Sequence, residues 1–208
     1  MYGVIAVDPK EKKSIEIVEK YAKLGFVGIK IHPSCYQIKI DEQSYDEFYK
    51  TCEKLGFFIL FHTGVHGCCL ENYEPILIDK LSNKYPNLKI ILEHMGMPYH
   101  FNQAMAVVYN SKFFNKSNVY AGITGIISEK NKEKIIQLLE DIGSDRIIYG
   151  LDFPICSLPP DYPENTQPFP PNKSVETFMK HLEILNSFKL NKDDLENILG
   201  KTIEKLII

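Results

Sequence analysis

Six short apolar runs recur along this chain, and each of them ends in a polar residue. The end residues are Asp8, His32, His62, His94, Thr124 and Asp152, so successive run ends lie 24 to 32 residues apart. This interval is the length of one β-strand together with the helix that leads to the next parallel strand. Six such units predict a parallel α/β fold, either a doubly wound sheet or a barrel.

The clearest of these units spans residues 44–64. Its apolar residues recur at helical spacing from Tyr45 to Leu55, residues 44–47 (SYDE) fit a capping box, and Gly56 fits the left-handed end of a helix. The run that follows, up to His62, carries no charge, as expected for a strand buried on both faces. The segment therefore predicts a helix, a glycine stop and a buried strand that ends in an imidazole.

The remaining elements follow from the same patterns. Strands are predicted at residues 4–7, 26–32, 56–62, 88–94, 118–123 and 146–152. Further helices are predicted at residues 14–24, 132–142, 175–188 and 193–199, with Gly25, Gly143 and Gly200 as stops.

Side-chain alternation along the strands indicates where the polar end residues point. With a period of two, His62 shares a face with Leu60, His94 with Leu92, Lys30 with His32, and Asp152 with Gly150. If these faces line a barrel, the polar groups meet at one mouth. Buried ionisable groups need partners, so such a cluster predicts a proton network or a divalent ion such as zinc.

Composition limits the partners that such a chain would have. The 208 residues (24.0 kDa) carry a formal charge of -3 and a pI near 6.1, which predict a single domain over residues 1–208 and favour neither nucleic acid nor an anionic membrane. A small molecule is the expected ligand. No signal-peptide pattern is present at Met1, and the odd number of five cysteines predicts reduced thiols, so we expect a cytoplasmic protein.

Residues 153–172 contain seven of the twelve prolines. This composition predicts a long, stiff loop after the last strand. The loop is either a lid over the substrate or a packed surface loop.

Five short segments resemble the amidohydrolase superfamily, in particular the branch that includes aminocarboxymuconate-semialdehyde decarboxylase and resorcylate-type decarboxylases. They are residues 28–33 (GIKIHP), 60–64 (LFHTG), 93–96 (EHMG), 149–154 (YGLDFP) and 196–200 (ENILG). Their order and spacing span nearly the whole chain. The resemblance implies a (β/α)8 TIM-barrel-like fold with a divalent metal, zinc or manganese, at the carboxyl ends of the strands.

The resemblance also implies roles for individual residues. His62 is expected to bind metal, His94 to bind metal or hold the attacking water, and Asp152 to bind metal and accept the proton of the water. Lys30 is expected to be a carboxylated bridge between two ions, a substrate-binding residue or a partner in a salt bridge, and His32 to lie beside the substrate. The resemblance implies a reaction that is either hydrolysis of a C–N or C–O bond or decarboxylation of a small carboxylated substrate.

The chain departs from this family pattern in one respect. Family members begin with a His-x-His metal pair, and none occurs among His32, His62, His66, His94, His100 and His181. The run at residues 4–7 resembles the third strand of the family, so two βα units are missing and about six remain. The alternatives are a gene model that starts late, a natural short enzyme, or a barrel remnant that binds a ligand without catalysis.

Three expectations follow from this departure. The open edge of the sheet is covered by a rearranged helix or by a second copy of the chain, which predicts a dimer. One metal ion at most binds, weakly, through His62 together with His94 or Asp152. His66, His100 and His181 are expected on loops or helix surfaces.

Overall fold

The computed structural model describes residues 1–67, 69–114, 118–152, 171–188 and 190–207, without the side chains of residues 171–174. None of the helices in this described part combines the length and the hydropathy needed to cross a bilayer.

Strands and helices alternate along the chain, as the sequence predicts. The six strands of the described residues are β1 (Val4–Ala6), β2 (Gly28–Ile31), β3 (Phe58–His62), β4 (Lys89–Glu93), β5 (Val119–Gly122) and β6 (Ile147–Ile148). The helices are α1 (Ser14–Lys23), α2 (Pro33–Tyr36), α3 (Asp46–Lys54), α4 (Ile76–Lys84), α5 (Phe101–Phe114), α6 (Lys132–Ile142), α7 (Pro171–Ser187), α8 (Lys192–Glu196) and α9 (Thr202–Ile207).

The chain divides into two compact units. The first comprises Met1–Gly122 with Ile203–Ile208, and the second comprises Ile123–Thr202. In the first unit β1 to β5 pair in sequence order, and every pair is parallel. Parallel neighbours require a crossover, and the helices between the strands supply it.

The two faces of the first unit's sheet differ in burial. On one face the side chains of Ile29, Ile31, Ile59 and Phe61 are fully buried. The other face carries the half-buried Lys30, Leu60 and His62, in agreement with the predicted alternation. The first face forms the hydrophobic core of the unit, and the second presents the polar groups.

Gly28 lets two strands pack closely on the polar face. A Cβ atom at this position would lie 2.5 Å from the Phe58 ring. The ring occupies the space that a side chain on β2 would fill. A glycine in the strand is therefore explained by close packing.

The second unit has its own apolar core, which includes Ile135, Leu138, Ile147 and Ile198. The amide of Ile123 donates to the carbonyl oxygen of Ile148 (3.0 Å), so β6 lies beside the start of this unit. β6 is short because the amide of Tyr149 donates instead to Ile198 in the C-terminal helical region (3.0 Å).

Three glycine stops are confirmed by the backbone. Gly25, Gly56 and Gly143 have φ values of 83°, 73° and 72°, in the left-handed region that glycine reaches at no steric cost. Each follows the helix that the sequence predicts.

Two local predictions are wrong. The capping box at residues 44–47 does not form: a 3-10 turn over Gln43–Tyr45 precedes α3, and Asp46 instead accepts hydrogen bonds from Lys84 and Tyr85. Gly200 does not stop a helix either, because it lies inside a π-helical segment, Asn197–Lys201, that continues into α9. Burial of Ile198 in that segment favours the continued helix.

The proline-rich stretch at residues 153–172 lies outside the described residues, except that Pro171 and Asn172 begin α7. Its role as a lid or surface loop stays a prediction. Of the five cysteines, Cys35, Cys52 and Cys69 are described and carry free thiols.

Candidate metal centre

Three imidazoles gather after β2 and β3 in the first unit. His32 follows β2, His62 ends β3, and His66 lies in the loop after β3. One nitrogen of each ring lies within 4.8 Å of the others, so the three rings form a group that could hold a metal ion. Imidazole nitrogen is a preferred ligand of zinc and other divalent transition metals.

His62 has a buried nitrogen with no partner. Its Nε2 is the one imidazole nitrogen among the described residues that is buried without a hydrogen bond. A buried polar atom without a partner costs free energy unless something binds it. Gly64 leaves room at this atom, because a Cβ there would lie 3.2 Å from Nε2. The nitrogen fits a metal ligand.

The rings around His62 pack closely. His32 stacks on it with ring centroids 3.9 Å apart, and His94 meets it edge to face at 4.6 Å. Burial is the main cause that lowers the pKa of His62, to about 3, and the positive charges that His32, His94 and Lys30 can carry add to it. Burial likewise lowers the pKa of His32 to about 4. Both imidazoles are therefore neutral near pH 7, the form that binds metal.

His32 and His66 are held by defined hydrogen bonds. Ser34 Oγ lies 3.0 Å from His32 Nδ1, and His32 Nε2 lies 3.2 Å from His66 Nδ1. The His66 amide donates to the hydroxyl of the buried Tyr73 (3.0 Å). The loop is thus fixed at its backbone although the His66 side chain is exposed. The sequence reasoning placed His66 on a loop but missed that it meets His32 and His62.

The side chain of His94 points toward this site because of a backbone conformation that the alternation did not predict. β4 ends at Glu93, and the parallel register places Glu93 beside His62, so regular alternation would have pointed His94 away. The backbone breaks the alternation instead, with left-handed φ values of 65° at His94 and 46° at Met95. The expectation that His94 shares the strand face of Leu92 is therefore wrong, but its ring does contact His62.

Thr63 fixes this turn. Its hydroxyl donates to the carbonyl oxygen of Glu93 (2.6 Å) and accepts a hydrogen bond from the amide of Gly96 (2.9 Å). The Thr63 amide also donates to Glu93 O (3.2 Å). One buried side chain thereby joins the end of β3 to the turn that carries His94.

Glu93 is a residue that the sequence reasoning did not select. Its side chain is buried, and the register places it on the same sheet face as His62. Gly122 on β5 makes room for it, because a Cβ there would lie 2.8 Å from Glu93 Oε1. The signal in the sequence was a charged residue directly after the apolar residues 90–92.

The other predicted site residues are less fully defined. Lys30 is half-buried on the polar face, and its charge contributes to the lowered pKa of His32 and His62. Its predicted contact with substrate stays a prediction. Asp152 belongs to the second unit and has a left-handed φ of 53°. Its role as a ligand and proton acceptor also stays a prediction.

His181 is not the surface residue that the sequence suggested. It is buried in the second unit, and its Nδ1 lies 3.0 Å from the Tyr149 hydroxyl. Burial lowers the pKa of His181 and raises that of Tyr149 to about 12. The hydrogen bond explains how an imidazole is accommodated in this core.

Comparison with known proteins gives a family match. The family model described as "Amidohydrolase" matches residues 1–207. No protein with a curated description matches the chain.

Solved structures give the fold. An uncharacterised TIM-barrel protein from Bordetella bronchiseptica aligns with a TM-score of 0.76 at 18% identity, over 99% of this chain and 66% of the other. A probable 2-pyrone-4,6-dicarboxylic acid hydrolase from Acinetobacter baumannii, with citric acid bound, aligns at 0.67 and 14%, over 99% and 72%. A 5-carboxyvanillate decarboxylase from Novosphingobium aromaticivorans, complexed with manganese and a nitrobenzoic acid, aligns at 0.63 and 19%, over 96% and 61%.

These matches confirm the predicted TIM-barrel-like fold with about six βα units. The chain spans roughly two thirds of the length of the structures that it matches.

Proposed function

This chain belongs to the amidohydrolase family, and from that premise we propose that it is a metal-dependent enzyme that hydrolyses a C–N or C–O bond of a small carboxylated molecule. The observation that carries the proposal is the buried, unpaired Nε2 of His62 at the end of β3, packed against neighbouring imidazoles. A neutral imidazole in that state is ready to hold a divalent ion, zinc or manganese.

The side chains around His62 supply the rest of the chemistry. When bound, the ion would act as a Lewis acid on a substrate carbonyl group. The His94 ring, in contact with that of His62, is placed to orient the attacking water and to stabilise the developing oxyanion. Asp152 would accept the proton of the water, the role that the family resemblance implies.

Lys30 favours a carboxylated substrate. Its positive charge helps to lower the pKa of both His32 and His62. The other causes that lower these two pKa values are burial and the neighbouring imidazoles. A substrate carboxylate beside this ammonium group would be attracted to it. His32, which stacks on His62, would line the same pocket.

Decarboxylation is the second candidate reaction. One similar structure is a 5-carboxyvanillate decarboxylase with bound manganese. The same cation, imidazoles and metal would hold the carboxylate that is lost. Hydrolysis and decarboxylation differ in how the substrate is placed, so both belong in one assay.

The decisive assay combines a substrate panel with one variant. The purified chain is loaded with Zn²⁺ or Mn²⁺ and tested on lactones, amides and aromatic carboxylates. We expect turnover that a chelator removes and that His62→Ala abolishes, whereas His100→Ala, outside the histidine cluster, keeps it. A folded protein without turnover on any substrate would favour the ligand-binding remnant, and turnover indifferent to His62 would refute the proposal.

Free thiols at the described cysteines agree with a reducing compartment. We therefore place the enzyme in the cytoplasm as part of the same proposal.

A further inference from the structure

The ligands of the metal need not be those that the family resemblance implies. We infer that His32, His62 and His66 form a self-contained site for one zinc ion, in place of the set of His62, His94 and Asp152. This inference rests on the proposed function, since it assigns the ligands of the same metal. It is carried by the geometry of three side chains within one unit.

The distances suit tetrahedral coordination. Ligand nitrogens about 2.1 Å from a tetrahedral zinc ion lie about 3.4 Å apart. His32 Nε2 and His66 Nδ1 are already 3.2 Å apart, and all three rings have a nitrogen within 4.8 Å of the others. The His32 and His62 rings stack at an interplanar angle of 11°, so binding one ion would require them to tilt toward each other and the exposed His66 ring to rotate.

The hydrogen bonds around His32 prepare one nitrogen for metal. Its Nδ1 lies 3.0 Å from Ser34 Oγ, which leaves Nε2 facing the cluster. Histidine ligands in proteins commonly donate their second ring N–H to an oxygen acceptor in this way. The zinc ion would replace the proton that His32 and His66 share.

The nitrogen of His62 is the strongest part of the case. Nε2 is buried and unpaired, so a ligand there removes a cost that the folded chain otherwise carries. The Tyr73 hydroxyl fixes the backbone of His66, and Val65 donates to Met97 O (3.4 Å), so the third ligand sits on an anchored loop. Three imidazoles leave a fourth position open, as in catalytic zinc sites.

Calorimetric titration with Zn²⁺ tests the assignment on the apo protein without any substrate. We expect one ion per chain, with affinity lowered about tenfold or more by His32→Ala and by His66→Ala. His66 is exposed, so its replacement should leave the fold intact, and thermal unfolding checks this. Ser34→Ala should lower the affinity by about tenfold while retaining all three ligands.

Two variants discriminate between the ligand sets. His94→Ala and Asp152→Asn should keep the affinity within about threefold of wild type if the three-histidine site binds the ion. Loss of binding in either, with His66→Ala unchanged, would overturn the inference and restore the family set. His100→Ala is the matched histidine control.

A second readout separates this inference from the proposed function. Co²⁺ in place of Zn²⁺ should give the intense visible absorption of a four-coordinate site, and His66→Ala should weaken it. Such a spectrum without turnover would support the site and refute the enzyme. Metal-dependent turnover that His66→Ala does not alter would support the enzyme and refute the site.

Discussion

Gly122 is a single residue whose lack of a side chain has a structural reason. An added Cβ would meet Glu93 at Oε1 (2.8 Å) and at its Cα (3.1 Å), and the backbone atom cannot move aside as a flexible side chain does. We expect Gly122→Ala to lower the free energy of unfolding by about 1–3 kcal/mol through overpacking. Urea denaturation measures the change.

Gly200→Ala is the control for this substitution. A Cβ at Gly200 meets no atom within 4 Å, and the residue lies in a helical segment. Alanine there should be neutral or stabilise by about 0.5–1 kcal/mol. Equal effects of the two substitutions would show that contact with Glu93 is not the cause.

His181 predicts how stability depends on pH. Burial lowers its pKa in the folded chain, whereas in the unfolded chain it protonates near its ordinary value of about 6.5. The unfolded state therefore binds more protons below that value. The contribution of His181 to the free energy of unfolding is complete above about pH 6.5. It is lost as the pH falls toward the lower pKa that His181 has in the folded state.

The test compares the slope of stability against pH in wild type and in one variant. His181→Asn should flatten the loss of unfolding free energy between about pH 7 and about pH 5 in chelator-treated protein. Asparagine keeps a polar atom near Nδ1, so the Tyr149 hydroxyl retains a partner. An unchanged slope in His181→Asn would contradict the assignment.

Between elements, Thr63 connects β3 to the turn after β4. Its hydroxyl satisfies both the carbonyl of Glu93 and the amide of Gly96. Thr63→Val keeps the shape and leaves these two buried groups without that partner, so we expect a loss of about 1–3 kcal/mol in unfolding free energy. Chemical denaturation is the measurement.

Thr51→Val provides the comparison on a helix. The Thr51 hydroxyl donates to Glu47 O within α3 (2.8 Å), in an exposed setting. Its replacement should change stability by less than about 0.5 kcal/mol. A Thr63→Val effect no larger than this would mean that the turn is held by its other contacts.

The elements also show how far a sequence determines this fold. The buried strands and the stops at Gly25, Gly56 and Gly143 were predictable because apolar periodicity and left-handed backbone are encoded locally. The path of the loop with His66 was not, because backbone hydrogen bonds to the Tyr73 hydroxyl and to the distant Met97 fix it. The same applies to His94, whose left-handed backbone replaces regular alternation.

Burial caused the other errors. His181 looked like a surface residue because no local pattern reveals that Tyr149 offers it a hydroxyl in the core. Glycine is the residue type expected at a helix stop, so Gly200 was predicted to be one. Burial of Ile198 and Leu206 on either side instead favours a helix that continues through Gly200. In the site, His62 followed from its strand, whereas its neighbours depended on tertiary contacts.

At the scale of the whole molecule, β1 is the strand from which we predict assembly. Among the described residues it pairs with β2 alone, and Val4 on this strand is 42% exposed. Unpaired strand edges with apolar side chains attract another chain, so we propose that a second copy covers this edge. Light scattering should give twice the 24.0 kDa chain mass. Val4→Lys should lower the measured mass to that of one chain. The control Val175→Lys, at an exposed residue on α7, should keep the mass of two chains. A one-chain mass for the wild type would refute the dimer.

The separation of His32 and His66 along the chain would give the proposed zinc ion a role in stability. The two residues are 34 positions apart, so one cation would act as a reversible cross-link around a loop of that size. Restricting an unfolded chain by such a loop is worth about 3–4 kcal/mol in the chain-entropy view. The supply of the ion would then set how often the first unit opens, and with it the lifetime of the chain against proteases.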